Sequence, residues 1–378
     1  MLNRPIAVLG GGNGAQCMAA DLSLHGYDVK IYEHPQFADN PNISRVLCTG
    51  EITLKGLKKE GTASLLEATT DIQVALSDVD LVNVVIPALG HDLFFSTMIP
   101  HLRDGQTVIV WAGDFGSLRL AKQIKDMRPE LSITIAEAHT IPYGTRICEP
   151  GVVDLLLTSP RVGIAALPAT RTAQLISDLE EMYPELTPMQ NVIAAAVANP
   201  NPICHPPGSI LNIGRIQYSG GDFRMYGEGI TEAVARVIRG VFDETSALAD
   251  ALGIEVFQYE DRDFRTNTSI MGVSFEAPFD THGIIGGIVG PKTIHDRYIT
   301  EDLPFGLVPM SQLGERMGVP TPLIDSFVNL GSQICGENYW ETGRTLETLG
   351  LDGLTKEEII ALVEQEQHNP ATLEEERQ

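Results

Sequence analysis

The sequence predicts an α/β protein: a doubly wound parallel sheet followed by a mainly α-helical second domain. Three observations carry this. An apolar run, Ile6-Ala7-Val8-Leu9, enters a glycine cluster, and a second run, Val29-Lys30-Ile31-Tyr32, ends on an acid, Glu33. Strand-like and helix-like stretches then alternate, as βαβ units do. Beyond residue 187 helical periodicity takes over, above all in 228–252, where Ile230, Val234, Val237, Ile238 and Val241 share a face.

In chain order, strands are expected at 5–10, 28–33, 81–86 and 107–111, with a shorter one near 132–136. The stretch Leu81-Val82-Asn83-Val84-Val85-Ile86 is nearly continuous in apolar residues, as in a strand buried on both faces. The segments 151–157 and 161–166 read as a β-pair closing the first domain, assigned to 1–186. The second domain, 187–364, carries further helices at 310–318, 321–335 and 355–365, the last opened by a capping-box pattern, Thr355-Lys356-Glu357-Glu358. From 365 to 378 the chain is polar and acidic and reads as a disordered tail.

The N-terminal pattern of strand, Gly10-Gly11-Gly12-Asn13-Gly14-Ala15, helix, strand and Glu33 is the Rossmann dinucleotide fingerprint in its proper context. Gly10 allows the tight turn. Gly12, with Asn13 and Gly14, brings backbone close to a pyrophosphate at the helix N-terminus. Ala15 keeps helix and strand close, and Glu33 accepts from the ribose hydroxyls. The carboxylate, with no arginine in His34-Pro35-Gln36, favours NAD over NADP. Pro87 and Ala88 follow the central strand at its carboxyl end, which faces the cofactor in such sheets.

The 378 residues suggest two domains; 43% are hydrophobic and 20% charged, as in a soluble globular protein. A net charge of −24 argues against nucleic-acid and anionic-membrane partners. No apolar run is long enough to span a membrane. The first one is short and needed as a strand, so a signal peptide is not expected and the expected location is cytoplasmic. Cysteines 17, 48, 148, 204 and 335 are widely spaced without C-x-x-C, so neither a metal site nor a disulfide framework is expected. An exposed apolar helix face in the second domain could support a homodimer.

A nicotinamide enzyme acting on a carbonyl or imine needs an acid–base group. Beyond residue 125 the only lysines are Lys292 and Lys356, in a loop and at a helix start. His205, in Asn199-Pro200-Asn201-Pro202-Ile203-Cys204-His205-Pro206-Pro207, lies on a proline-stiffened backbone at the inferred domain junction. A packing histidine is the bland alternative. A second cluster spans His295 to Gly306: Arg297 could hold a carboxylate and Asp302 could orient a histidine, or the segment is a solvated, ion-paired loop. Tyr143, Arg146, Arg215, Arg224 and Tyr226 could line a substrate pocket or a domain interface, Arg146 and Tyr143 being carried forward as substrate candidates.

The glycine-rich start, Val85-Ile86-Pro87-Ala88-Leu89-Gly90-His91, Met225-Tyr226-Gly227-Glu228-Gly229-Ile230-Thr231, the His205 segment and Arg297-Tyr298-Ile299-Thr300-Glu301-Asp302-Leu303-Pro304-Phe305-Gly306 together resemble the octopine/nopaline (opine) dehydrogenases. The resemblance runs from Ile6 to about Val363. It implies reversible, NADH-dependent condensation of a pyruvate-like 2-oxo acid with the amino group of an amino acid or amine. It further implies His205 as catalytic acid–base, Asp302 as its partner and Arg297 as the substrate-carboxylate arginine. Rival readings are a reductase of a free 2-oxo acid, of the ketopantoate reductase kind, and an inactive NADH sensor.

Overall fold

A computed structural model describes residues 4–260 and 284–365. Beyond Gln365 the expected tail lies outside the described residues.

The N-terminal half is built on an eight-stranded sheet. β1 (Ile6–Leu9) leads through α1 (Asn13–Leu24) to β2 (Val29–Tyr32), and α2 (Pro41–Thr49) follows. The chain then forms β3 (Glu51–Gly56), β4 (Gly61–Ser64), β5 (Glu67–Thr69) and α3 (Ile72–Leu76). Next come β6 (Leu81–Val84), α4 (His91–Met98), β7 (Thr107–Trp111), α5 (Gly116–Met127) and β8 (Thr134–Ala138). β9 (Tyr143–Glu149), β10 (Val152–Thr158), β11 (Val162–Leu167), α6 (Thr172–Leu179) and β12 (Leu186–Pro188) complete it.

The main sheet has the order β12-β11-β8-β7-β6-β1-β2-β5, parallel except where β11 meets β8. The chain builds outward from β1 through β2 to β5, then crosses to β6. The switch point therefore falls between β1 and β6, where such sheets bind ligands at their carboxyl ends. Side-chain alternation explains the two covered faces. Ile6, Val8 and Ile109 pack with α1, while Ala7, Val82 and Val108 pack against Phe94, Phe95 and Leu120 of α4 and α5.

One expectation fails. The segments expected to form a β-pair at 151–157 and 161–166 belong to different sheets. β10 pairs with β9 antiparallel and β3 parallel, in a second sheet ordered β4-β3-β10-β9, whereas β11 joins the main sheet. Adjacency in sequence favours a hairpin, but the nearby antiparallel partner of β10 precedes it.

The C-terminal half is helical. It contains α7 (Val192–Val197), α8 (Pro200–Ile210), α9 (Ile213–Ser219), α10 (Glu232–Leu252) and the single-turn α11 (Ile284–Gly287) and α12 (Arg297–Thr300). α13 (Val308–Met317), α14 (Pro322–Cys335), the short α15 (Tyr339–Thr342) and α16 (Lys356–Glu364) follow. The periodic positions of α10, among them Val234, Ile238 and Val241, enter one core with Leu303, Leu307, Ile324 and Val328. The capping box on α16 is present in both directions, Thr355 Oγ1 accepting from Glu358 N and Glu358 Oε2 accepting from Thr355 N. Two π-helical turns, Met225–Gly229 and Asp302–Leu307, interrupt this half. Such turns concentrate at functional sites.

Candidate active site

A cleft of about 430 Å³ opens between the glycine turn after β1 and the N-terminal end of α8. Gly12, Asn13, Gly14 and Pro87 border it from the sheet side; His205, Tyr226, Arg297 and Tyr298 border it from the helical side.

The helix that carries His205 begins where local chemistry dictates. Asn199 caps α8 by accepting from Asn201 N at 3.0 Å, and Pro200 occupies the first turn, where a missing N–H costs nothing. The prolines expected to stiffen an irregular backbone thus open and line a helix. Asn199 also donates to Asp114 Oδ1 at 2.6 Å, joining the helix start to the loop after β7.

His205 is 4% exposed, and its ring is held on three sides. Nδ1 lies 2.7 Å from Asp302 Oδ2, Nε2 lies 3.1 Å from the Tyr226 hydroxyl, and the Tyr298 ring stacks on it at 3.7 Å between centroids and 7° between planes. A carboxylate only accepts, so Nδ1 carries the proton and the neutral ring presents the Nε2 lone pair. Both polar partners come from the π-helical turns, which aim Tyr226 and Asp302 at the ring.

Arg297 projects into the cleft with its side chain half exposed, 3.5 Å from Glu301. Glu301 is buried, and its other oxygen accepts from Ala88 N at 2.8 Å, linking the central-strand loop to α12. The amide of Ala88, expected on the cofactor side, is therefore engaged by protein; Pro87 beside it is exposed to the cleft. Arg146, on β9, is exposed at the cleft and donates to Thr145 O at 3.0 Å. Tyr143 borders the cleft with its ring, but its hydroxyl donates to Asp21 Oδ2 at 2.8 Å. That leaves Tyr143 a wall of the pocket rather than a donor into it. Arg215 and Arg224 pair with Glu228 and Asp222 and do not border the cleft.

Beneath the site lies a buried polar floor that sequence reasoning missed. Ala112, Asp114 and Phe115 in the loop after β7 hold positive φ of 50°, 48° and 66°. Glu137 of β8 accepts from Phe115 N at 2.7 Å and Ser117 N at 2.9 Å, and Arg344 donates to the carbonyls of Gly113 and Asp114. Burial pushes the Asp114 carboxyl well above the usual range, and neighbouring Asp302 and Glu301 push the same way. No local pattern singles out Asp114 or Arg344, whose partners are remote in sequence, and the i,i+4 pairing of Glu301 with Arg297 gives no sign of its bond to Ala88.

The residues fit a dinucleotide. α1 starts without a side-chain cap on Gly12 and without an acid in its first turn, so its first N–H groups stay open to an anion. A Cβ on Gly12 would meet nothing within 4 Å, whereas one on Gly10, at φ 119°, would lie 2.5 Å from Val85 O. Gly10 thus shapes the turn and Gly12 leaves it accessible. Asn13 Oδ1 accepts from Ile147 N at 2.8 Å, fixing β9 beside the turn. Ala15 is fully buried behind it. Glu33 is 7% exposed and accepts from His34 N at 2.8 Å; burial raises its carboxyl, and the backbone N–H groups of His34 and Gly11 oppose this. Among the described residues there is no cluster suited to a metal ion, and no helix is long and apolar enough to cross a membrane.

Residues 188–335 match the family described as NAD/NADP octopine/nopaline dehydrogenase, alpha-helical domain. The chain is 31% identical to an opine dehydrogenase of Arthrobacter sp. (strain 1C) over 96% of this chain and 99% of that one. Solved structures of octopine dehydrogenase with NADH and L-arginine and with NADH and pyruvate share the fold. Both give a TM-score of 0.71 and cover 97% of this chain and all of theirs, at 19% and 21% identity. On the identity to the Arthrobacter enzyme, sustained over nearly the whole length of both, the chain belongs to the opine dehydrogenase family.

Proposed function

We propose that the protein is an NADH-dependent opine dehydrogenase, joining a 2-oxo acid to the amino group of an amino acid and reducing the product of that condensation. The observation that carries this is the His205–Asp302 pair, 2.7 Å apart and buried at the wall of a cleft bordered by the glycine turn and two exposed arginines, Arg297 and Arg146. When bound, NADH supplies the hydride.

The chain's residues supply the rest. Asp302 fixes the proton on Nδ1 and leaves Nε2 to exchange protons with the substrates. Nε2 takes a proton from the incoming ammonium, and the protonated ring can return it to the oxygen that must leave. Arg297 holds the carboxylate of the 2-oxo acid, restrained from below by Glu301. Arg146, across the cleft on β9, takes the carboxylate of the amino acid. A net charge of −24 would repel an acidic substrate, but screening over about 8 Å makes these local cations count for more than the total.

The test is NADH oxidation with pyruvate and other 2-oxo acids, with and without amino acids. Oxidation that requires the amine is expected. Oxidation indifferent to it would mean reduction of a free 2-oxo acid instead. Replacing His205 with Asn should lower turnover by about 10²–10⁴ for a general acid–base group.

A further inference from the structure

Resting on the reductive-condensation reading above, we propose that Tyr226 is a second catalytic residue, passing the proton of His205 to the oxygen that leaves as water when the imine forms.

The argument starts from the crowding of the imidazole. A ring nitrogen makes one in-plane hydrogen bond. The bond at Nδ1 goes to Asp302, and the one at Nε2 is made with the Tyr226 hydroxyl at 3.1 Å. Tyr298 covers a ring face at 3.7 Å. A substrate oxygen therefore reaches the Nε2 proton only by displacing the tyrosine hydroxyl or through it. Tyr226 borders the same cleft as His205 and Arg297, so its hydroxyl stands within reach of both histidine and substrate. The route through the hydroxyl keeps its contact with Nε2 in place.

The step balances. Addition of the amine to the 2-oxo carbon gives a carbinolamine. As its carbon–oxygen bond breaks, the nitrogen lone pair forms the carbon–nitrogen double bond and the Tyr226 O–H bond breaks towards the leaving oxygen. The proton on Nε2 moves to the tyrosine oxygen in the same event. Water departs, Tyr226 ends neutral and His205 ends as the neutral base. The hydroxyl keeps its proton at rest, because burial in the cleft wall, with Tyr298, Cys204 and Asp302 nearby, holds its pKa well above the usual tyrosine value against the opposing pull of Arg297.

The backbone supports the placement. Tyr226 sits in the π-helical turn Met225–Gly229, closed by Ile230 N donating to Met225 O at 2.8 Å. Gly229 packs so tightly that a Cβ there would lie 2.5 Å from the Phe223 ring, and Asn212 donates to its carbonyl at 3.0 Å. The turn is pinned to α9 and its approach, which suits a group that must hold one position.

The experiment uses Y226F, which keeps the ring and removes only the hydroxyl, compared with H205N and the double variant. Turnover of Y226F should fall by about 10²-fold, as for loss of a proton-transfer group, with KM for both substrates and NADH affinity little changed. The double variant should be no slower than H205N, since both residues serve one proton path. A Y226F enzyme as fast as wild type or faster would mean that the hydroxyl merely occludes Nε2 and would overturn the proposal. So would a double variant whose loss is the product of the single losses, or a Y226F loss explained by weakened NADH binding. The wild-type rate separates the two readings. No amine-dependent oxidation overturns the condensation reaction together with this proposal, whereas normal oxidation with a fully active Y226F overturns this proposal alone.

Discussion

Replacing Asp302 with Asn isolates what the carboxylate does for His205, because size and burial are preserved. The contact is 2.7 Å with both side chains about 95% buried, so bulk screening is weak. An amide at this position can donate to Nδ1, which would move the ring proton to Nε2 and leave no lone pair there to accept from the ammonium. A hydrogen bond to a charged group is worth about 1.5–3 kcal/mol, and about 1.4 kcal/mol is tenfold in rate, so turnover should fall by about 10- to 150-fold. The fold should not suffer, because Asp302 adds to the repulsion felt by buried Asp114. The assay is single-turnover NADH oxidation at saturating 2-oxo acid and amine, with NADH affinity and Tm measured alongside. Turnover within threefold of wild type, at unchanged NADH affinity, would refute the claim that Asp302 sets the working state of His205.

Further expectations follow from the same geometry. Gly12→Ala should fold normally, since its Cβ meets nothing and φ is −78°, yet bind NADH about tenfold or more weakly by crowding the helix N-terminus; unchanged affinity would move the pyrophosphate elsewhere. Asp114→Asn should stabilise the protein more as pH rises. The folded-state pKa of Asp114 is raised above its ordinary 3.8, so its stabilising contribution is full below that value and is lost as pH climbs through the folded pKa. A Tm difference from wild type that stays flat or narrows with pH would contradict this. Arg146→Gln should raise KM for amino acids by about tenfold, the scale of a lost charge-assisted hydrogen bond, and leave KM for amines without a carboxylate untouched. An equal rise for both would remove Arg146 from carboxylate binding.

The parts legible in the sequence share one property: their determinants are neighbours along the chain. The run from Ile6 through Gly10 and Gly12 to Glu33 could be read because strand, turn, helix and acid follow one another. The periodicity of α10 was legible for the same reason. β10 was misassigned because it pairs with β3, nearly a hundred residues upstream, as well as with β9. The hairpin of β3 and β4 went unread: its burial is one-sided and its residues are polar on the open face. The helical state of the His205 segment was signalled by Asn199 and Pro200, a cap and a first-turn proline, but Pro202, Pro206 and Pro207 masked it. The partnership of His205 with Asp302 came from family resemblance, not spacing. That of Tyr226 with Nε2 depends on a π-helical turn, which shifts the register of a side chain by an amount no 3.6-residue pattern encodes.

The loop Ala112–Phe115 is gripped by Glu137 from the sheet and by Arg344 and Asn199 from the helical half. In mechanical terms it is a fixed bearing rather than a hinge. A substitution at Arg146, on β9 and outside this grip, can therefore be made without loosening the alignment of His205 with Asp302. The gripped loop and the exposed Arg146 thus belong to separately held parts of one cleft.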